Sequence, residues 1–475
     1  MSPSHHQAPV MCLAAAALFV TACLPMRAPD PAPRPLDRDS LGAVSSTGLA
    51  GRSISTVEAS EEDLARFIRE VIERNPGLQA SWLEYEAALQ RVPQVTSLSE
   101  PMLTGMVGIE HVQTRTGEQD FGLGLEQRFP WFDVLDLRGQ VAAVQAEEAQ
   151  FAHHSQMLDL VRRTQGLWWE TAFQRRARLI AEEEQQLLQH WAEIATSRYS
   201  TDVGSQQDVL RAEVEVSRIQ ETLIGIERRL RTMTAELNTL ADHDANSVIT
   251  VQPLDESDSD PLSLDIETLI ASAEALRPEL QGLRQRLDRH ARERALARRE
   301  YMPEFTIGVN WISVGDVPVD LPSRPPDEGK DVVMLNGGIT IPLWWRAYRA
   351  AVAEAERNIE ATTLRIDDME NRIVSEVLSA HFAMTEAQDL IELYESALIP
   401  QAEQSLAAIE SAYSTGQTSM IDLFDAERTL LRIRLALAQA HRDQKLAMAD
   451  LERAVGAALV TPAANFHEIL EVTDP

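Results

Sequence analysis

The chain has 475 residues, 74 acidic against 43 basic, with a formal net charge of −31; 44% of it is apolar and only 5% aromatic. That length serves two or more ordinary domains or one elongated body, and a charge of that sign repels nucleic-acid phosphates and anionic lipid surfaces. Both cysteines, Cys12 and Cys23, lie near the start, so the body forms no disulfide and no cysteine-based metal site.

In chain order, the apolar run LAAAALFVTAC, Leu13–Cys23, reads as the core of a secretory signal over residues 1–22. Val20-Thr21-Ala22-Cys23 resembles the lipobox of bacterial lipoproteins, in which cleavage leaves the cysteine diacylated; on that reading Cys23 is a lipid anchor. The alternative is a plain signal peptide, because the leader MSPSHHQAPVM carries no Lys or Arg. Residues 23–58 are rich in Pro and charge and read as a linker. No later segment reaches the roughly 20 apolar residues of a membrane helix, so a membrane crossing requires strands.

Asp63–Val92 is helical in pattern and broken at Asn75-Pro76. Phe121–Phe129 has period two, with apolar residues alternating against Gly, Glu and Arg, and Met102–His111 is a weaker partner across a polar turn at Thr114–Asp120. A helix follows from Leu137 to about Ser197, about 90 Å long. Tyr199–Ser205 interrupts it, a further helix runs to about Leu240, and an acidic linker occupies 246–265. The same order then returns. Arg277-Pro278-Glu279-Leu280 echoes Asn75-Pro76-Gly77-Leu78, Phe305–Ser313 and Val333–Ile341 alternate as strands, and a long helix runs from Ala347 to Ser411 with a kink expected at Pro400. A last helix reaches about Ala454. The units are 59–245, with strands in about 102–129, and 266–458, with strands in about 304–341, followed by a tail at 459–475.

The duplication is sharpest at the turns. Tyr199–Ile219 and Tyr413–Ile433 share nine of 21 residues without a gap, 214 positions apart. Along the second long helix Val352, Ile359, Ile366, Ile373 and Ala380 recur every seven residues, beside Met369, Val377, Met384 and Ile391; a period near 3.5 implies helices packed along their length. The fold class is therefore mainly α with a small β part, built on a duplicated unit of helix, strand pair, long helix and helix. Four strands cannot close a barrel, and an open sheet in lipid leaves unpaired backbone edges; the strands are either shared between chains or outside the membrane.

From about Asp63 to Gly456 the chain resembles the TolC-like outer-membrane efflux proteins, on the repeated element order, on QRFPWFDVLDLRGQ and ITIPLWWRAYRAA at the strand ends, and on the paired YST turns. The resemblance implies a homotrimer with a shared β-barrel in the bacterial outer membrane, a periplasmic α-helical tube, a periplasmic adaptor protein and an inner-membrane proton-driven pump. It implies that the turns meet the adaptor, with Gly204 and Gly416 supplying flexibility and Ser205, Thr418 and Ser419 capping the helices. It also implies that Asp422 and Asp425 ring the closed entrance, with Tyr413 and Asp208 holding the mouth shut. Helix-end electrostatics alone would also place acids at 422 and 425. The Arg that closes the mouth in well-known relatives is replaced by Thr418, which implies either a weaker lock or other partners, with Arg211 one candidate.

No enzyme signature occurs: there is no H-E-x-x-H, Walker loop, G-x-S-x-G or CxxC pair, and no metal or cofactor site is expected. His153-His154 reads as a solvated pair, since neighbours on a helix point about 100° apart, and the methionines read as core filling. Three readings follow: a passive exit duct of a tripartite efflux pump, a type I protein-secretion duct, or a periplasmic coiled-coil lipoprotein scaffold.

Overall fold

The computed structural model describes residues 56–254, 265–317 and 326–458. The signal, Cys23, most of the Pro-rich linker and the C-terminal tail lie outside the described residues.

Three helices open the described chain: α1 (Thr56–Arg74), α2 (Pro76–Leu89) and α3 (Arg91–Thr96). The break between the first two falls at Asn75-Pro76, because Asn75 caps α2 by accepting from the Leu78 amide at 3.0 Å and Pro76 occupies the first turn. Strands β1 (Met102–Thr114) and β2 (Gly117–Phe129) follow as a hairpin. Both are longer than their apolar alternation suggested: the turn is only Arg115-Thr116, and the polar Thr114–Asp120 is largely strand, paired through Thr114↔Gly117 and Gln113↔Glu118.

Helix α4 (Val134–Ser200) is 67 residues long and returns through α5 (Gln206–Leu240). After it Val251 and Leu254 are buried, and the Leu254 amide donates to the Ala172 carbonyl at 3.1 Å, so the first part of the acidic stretch lies on α4 rather than free. The second copy comprises α6 (Ile266–Leu276), α7 (Pro278–Arg299), β3 (Phe305–Val314), β4 (Val332–Ile339), α8 (Trp345–Leu393), α9 (Ile399–Ser414) and α10 (Met420–Val455). The break expected at Pro400 takes the form of a π-helical turn, Tyr394–Leu398, just before it. Pro400 has no N–H for the carbonyl four residues back, and the Ile399 amide instead bonds Tyr394, five back.

The four strands form one antiparallel sheet in the order β1-β2-β3-β4. Its register aligns Leu103, Leu125, Val309 and Leu335, and beside them Val107, Phe121 and Leu123, Trp311 and Val333, on one face. The other face carries Thr104, Gly124, Asn310 and Met334, then Glu126, Gly308 and Asn336. Asn310 donates to Asn336 at 3.2 Å across it. The apolar face is exposed in the single chain: Leu103 is 70% and Leu335 77% accessible.

One hydrophobic core of the helical part lies where α6, α7, α8 and α10 meet, around Leu280, Ile373, Val377, Met384 and Leu451. The lower part of the seven-residue ladder, Ile373 and Ala380 with Val377, Met384 and Ile391, is buried, whereas Val352, Ile359 and Ile366 are half-buried. Met157, Met384 and Met420 are core residues, but Met102, Met106 and Met334 are exposed on the sheet, so methionine is not uniformly core filling. His153 is a second correction: it is buried, its Nδ1 2.7 Å from Ser81 Oγ and its ring edge-on to Trp82, because α2 covers that face of α4. Burial, and then His154, lowers its pKa.

The two copies close in matching ways. Asn75 Nδ2 donates to the Leu240 carbonyl at 3.0 Å, and Arg277 Nη1 donates to the Ala454 carbonyl at 3.2 Å. Leu240 and Ala454 are 214 positions apart, like the paired turns. In each copy the residue before the proline ties the last turn of the closing helix. Arg277 is nearly inaccessible and also pairs with Glu279 at 3.0 Å and Glu376 at 2.6 Å. Arg277→Ala leaves those carboxylates short of a partner and is expected to cost about 3 kcal/mol, the low end for a broken buried pair because Glu376 is partly hydrated. Denaturant unfolding of the detergent-solubilised protein checks this against Arg284→Ala, an exposed pair worth under about 1 kcal/mol; equal losses would contradict it.

Candidate functional site: the paired turns

Each long helix reverses through a turn built the same way. In the first, the Asp202 amide donates to Tyr199 O at 3.2 Å and the Val203 amide to Arg198 O at 2.9 Å. In the second, the Gly416 amide donates to Tyr413 O at 3.0 Å and the Gln417 amide to Ala412 O at 2.8 Å. These are the same bonds at equivalent positions, the pattern by which a left-handed residue ends a helix. That residue is Gly416 (φ 75°) in the second copy and Asp202 (φ 59°) in the first. Gly204 therefore does not play the part of Gly416. It is needed for a close approach: a Cβ there would meet Arg198 Cβ at 3.0 Å and the Tyr199 nitrogen at 3.1 Å.

The following helices start alike too. Ser205 and Ser419 are the N-caps, each in a capping box with the aspartate three residues on. Asp208 Oδ2 accepts from the Ser205 hydroxyl at 2.8 Å, and Asp422 Oδ2 from the Ser419 hydroxyl at 2.6 Å. Thr418 is not the cap but reinforces it, donating to Asp422 at 2.8 Å. The Ser419 and Thr418 hydroxyls hold the Asp422 carboxyl below its ordinary range, so it stays ionised as pH falls past that range. Asp425 is exposed and pairs with Arg428 at 3.2 Å, while Arg428 also reaches Glu215 of the first copy at 3.4 Å. Both aspartates thus have partners within the single chain.

The copies meet at Tyr413. It is 6% accessible, whereas its counterpart Tyr199 is 48% accessible. Arg198, the last residue before the first-copy Tyr, lies over its ring at 4.8 Å and donates from Nη1 to its carbonyl at 3.0 Å. Arg198, not Arg211, therefore meets Tyr413 among the described residues. Burial raises the Tyr413 pKa, Arg198 opposes this, and Asp208 adds to it. Trp191 packs edge-on to Tyr413 at 5.9 Å and donates from Nε1 to Glu427 Oε1 at 3.2 Å. Sequence reasoning missed Arg198, Trp191 and Glu427. Arg198 had a signal, since it replaces Ala412 in the alignment of the repeats; Glu427 did not, since its counterpart is also Glu, the exposed Glu213.

The profile of outer membrane efflux proteins matches residues 67–242 and 269–457, most of both copies. The chain belongs to the outer membrane efflux protein family. Its fold is similar to that of the outer membrane protein VceC of Vibrio cholerae (TM-score 0.69, 18% identity, 84% of this chain and 97% of that one). It is similar as well to the CmeC outer membrane channel of Campylobacter jejuni (TM-score 0.69, 13% identity, 94% and 97%) and to CusC (TM-score 0.69, 16% identity, 83% and 92%). No curated protein matches in sequence. The family is one of outer-membrane efflux channels, and the alternative of a non-channel scaffold falls with that membership.

The left-handed turn positions can be tested by exchange. Gly416→Ala is expected to cost about 1 kcal/mol, and Asp202→Gly to be neutral or stabilising by up to about 1 kcal/mol. Urea unfolding reads both; an alanine at 416 without cost would mean the turn relaxes away from the left-handed region.

Proposed function

We propose that three copies of this chain form the exit duct of a tripartite efflux system, passive in itself and joined by a periplasmic adaptor to a proton-driven pump in the inner membrane. One observation carries the reading: a four-stranded antiparallel sheet with one continuous apolar face and, among the described residues, both outer strands, β1 and β4, unpaired along their outer edges. In hydrocarbon each unpaired backbone group costs several kcal/mol, and three copies joined edge to edge give a closed twelve-stranded barrel. The apolar face meets lipid and the Gly, Thr and Asn face lines water. Cys23 supplies a lipid anchor in the same membrane. Substrates are small molecules or metal cations moving outward, and the duct itself carries out no reaction.

The paired turns form the periplasmic mouth on this reading. Gly204, Ser205, Gly416, Thr418 and Ser419 present the surface to the adaptor, alternating first and second copies around the opening. Asp422 and Asp425 bring six carboxylates to the entrance of the trimer and favour cations there. Tyr413, held by Arg198 and close to Asp208, keeps the closed form packed, and adaptor contacts shift the closed-to-open equilibrium.

Single-channel conductance of the purified full chain in planar bilayers tests this. The wild type is expected to show a small, cation-selective conductance. Asp422→Asn/Asp425→Asn removes the charges while leaving an acceptor at the cap, and is expected to lower cation selectivity and raise conductance severalfold. A folded, helical protein that never conducts would overturn the duct; a conductance indifferent to both substitutions would move the constriction elsewhere.

A further inference from the structure

Two residues beyond Asp425, α10 holds a carboxylate that none of the preceding roles uses. Glu427 is 1% accessible. Its Oε1 accepts from Trp191 Nε1 at 3.2 Å, and its Oε2 is buried with no hydrogen-bond partner. A fully buried carboxylate with an unmet oxygen is stable only when protonated or when its surroundings move. Here the surroundings are the contact between the copies. Trp191 stands between Glu427 and Tyr413, its N–H on the carboxylate and its ring edge-on to the tyrosine. Arg198 of the first turn then lies over Tyr413. The chain Glu427–Trp191–Tyr413–Arg198 runs from the buried acid of the second copy to the turn of the first.

We propose that Glu427 is a proton-operated positioning residue of the mouth: protonated, it lets Trp191 and Tyr413 pack shut against the first-copy turn; ionised, it draws water and loosens that packing. The role as a mouth rests on the duct reading above, whereas the coupling of the acid to the packing of the turns does not.

The charged neighbours agree with this. Helix α4 contributes Glu184 along with Trp191, α5 contributes Glu215, α9 contributes Glu410, and α10 itself contributes Arg434. Burial first, and then Glu410, oppose ionisation of Glu427, against the Trp191 N–H and Arg434, and its pKa is pushed up to about 6. Glu184 is raised to about 7, by burial first and then by Glu427. The sign follows from linkage. A carboxyl harder to ionise in the closed form than in a hydrated open form favours closure fully below its ordinary 4.5, and that preference is lost as pH rises through about 6. Such a rise corresponds to about a thirtyfold change in the closed-to-open ratio. Glu184 extends the window toward about 7. Asp422, shifted the opposite way, is ionised throughout this range and adds nothing to it.

The test is hydrogen–deuterium exchange of the turn segments 199–205 and 413–419 in the full trimeric protein from pH 4.5 to 7.5, corrected for intrinsic exchange, with conductance recorded in parallel. Turn protection is expected to fall about tenfold or more across pH 4.5–6 in the wild type. Glu427→Gln, neutral at every pH, is expected to keep protection high and conductance low at pH 7. Trp191→Phe keeps the ring on Tyr413 but removes the N–H that favours the ionised acid, so its midpoint is expected to move to higher pH; this second variant decides the matter if Glu427→Gln does not assemble. Protection that does not titrate in the wild type, or that titrates unchanged in Glu427→Gln or in Trp191→Phe, overturns the proposal. Titrating protection without conductance at any pH would sink the duct reading and leave the coupling standing.

Discussion

The governing constraint is the pairing of backbone groups along the sheet edges. An outer-membrane channel built from strands must satisfy every N–H and C=O that lies in hydrocarbon. Among the described residues this chain has four strands with two unpaired outer edges, whose backbone groups would lack partners in hydrocarbon. The apolar face across Leu103, Leu125, Val309 and Leu335 is unfavourable too, because a face that is 70–77% accessible at its outer strands is costly in water. The helices below inherit the problem: each copy must deliver a strand pair to the same level, and duplication of one unit achieves this.

Duplication also explains which details recur. The tie before each proline, the left-handed residue after each YST, and the serine–aspartate capping box recur in both copies because they are backbone solutions to the same turn. Around the turns the side chains and their burial differ instead. Arg198 stands opposite Ala412 in the alignment and Arg211 opposite Asp425, and where both copies keep Glu, Glu213 is exposed and Glu427 buried. Among the described residues the π-helical turn belongs to the second copy alone, while α4 runs unbroken for 67 residues. The second copy thus carries both the buried acid and the irregular helix, and the first presents the cation that covers Tyr413.

The acids at the turn show how one residue type serves two ends. Asp422 is held ionised by hydroxyls and by the start of a helix, which suits a fixed charge. Glu427, five residues on and on the buried side of the same helix, is held near neutrality by loss of water. Spacing along a helix decides the difference, since five residues is nearly one and a half turns.

Much of this was legible in the residues themselves. The period-two strands, the long helices, the breaks at Asn75-Pro76 and at the YST turns, and the capping serines follow from local rules about side-chain period, proline and caps, and they stand where those rules place them. Strand lengths were legible only in part: Thr114–Asp120 looks like a turn because it is polar, yet pairing with β1 makes most of it strand. What local rules could not reach is contact between segments from 72 to more than 200 residues apart. That Arg198 rather than Arg211 covers Tyr413 among the described residues, that His153 is buried beneath α2, and that Glu427 has lost its water are outcomes of packing. Each depends on which face of a helix meets a distant neighbour, and hydrophobic period specifies that a face is buried without specifying what buries it.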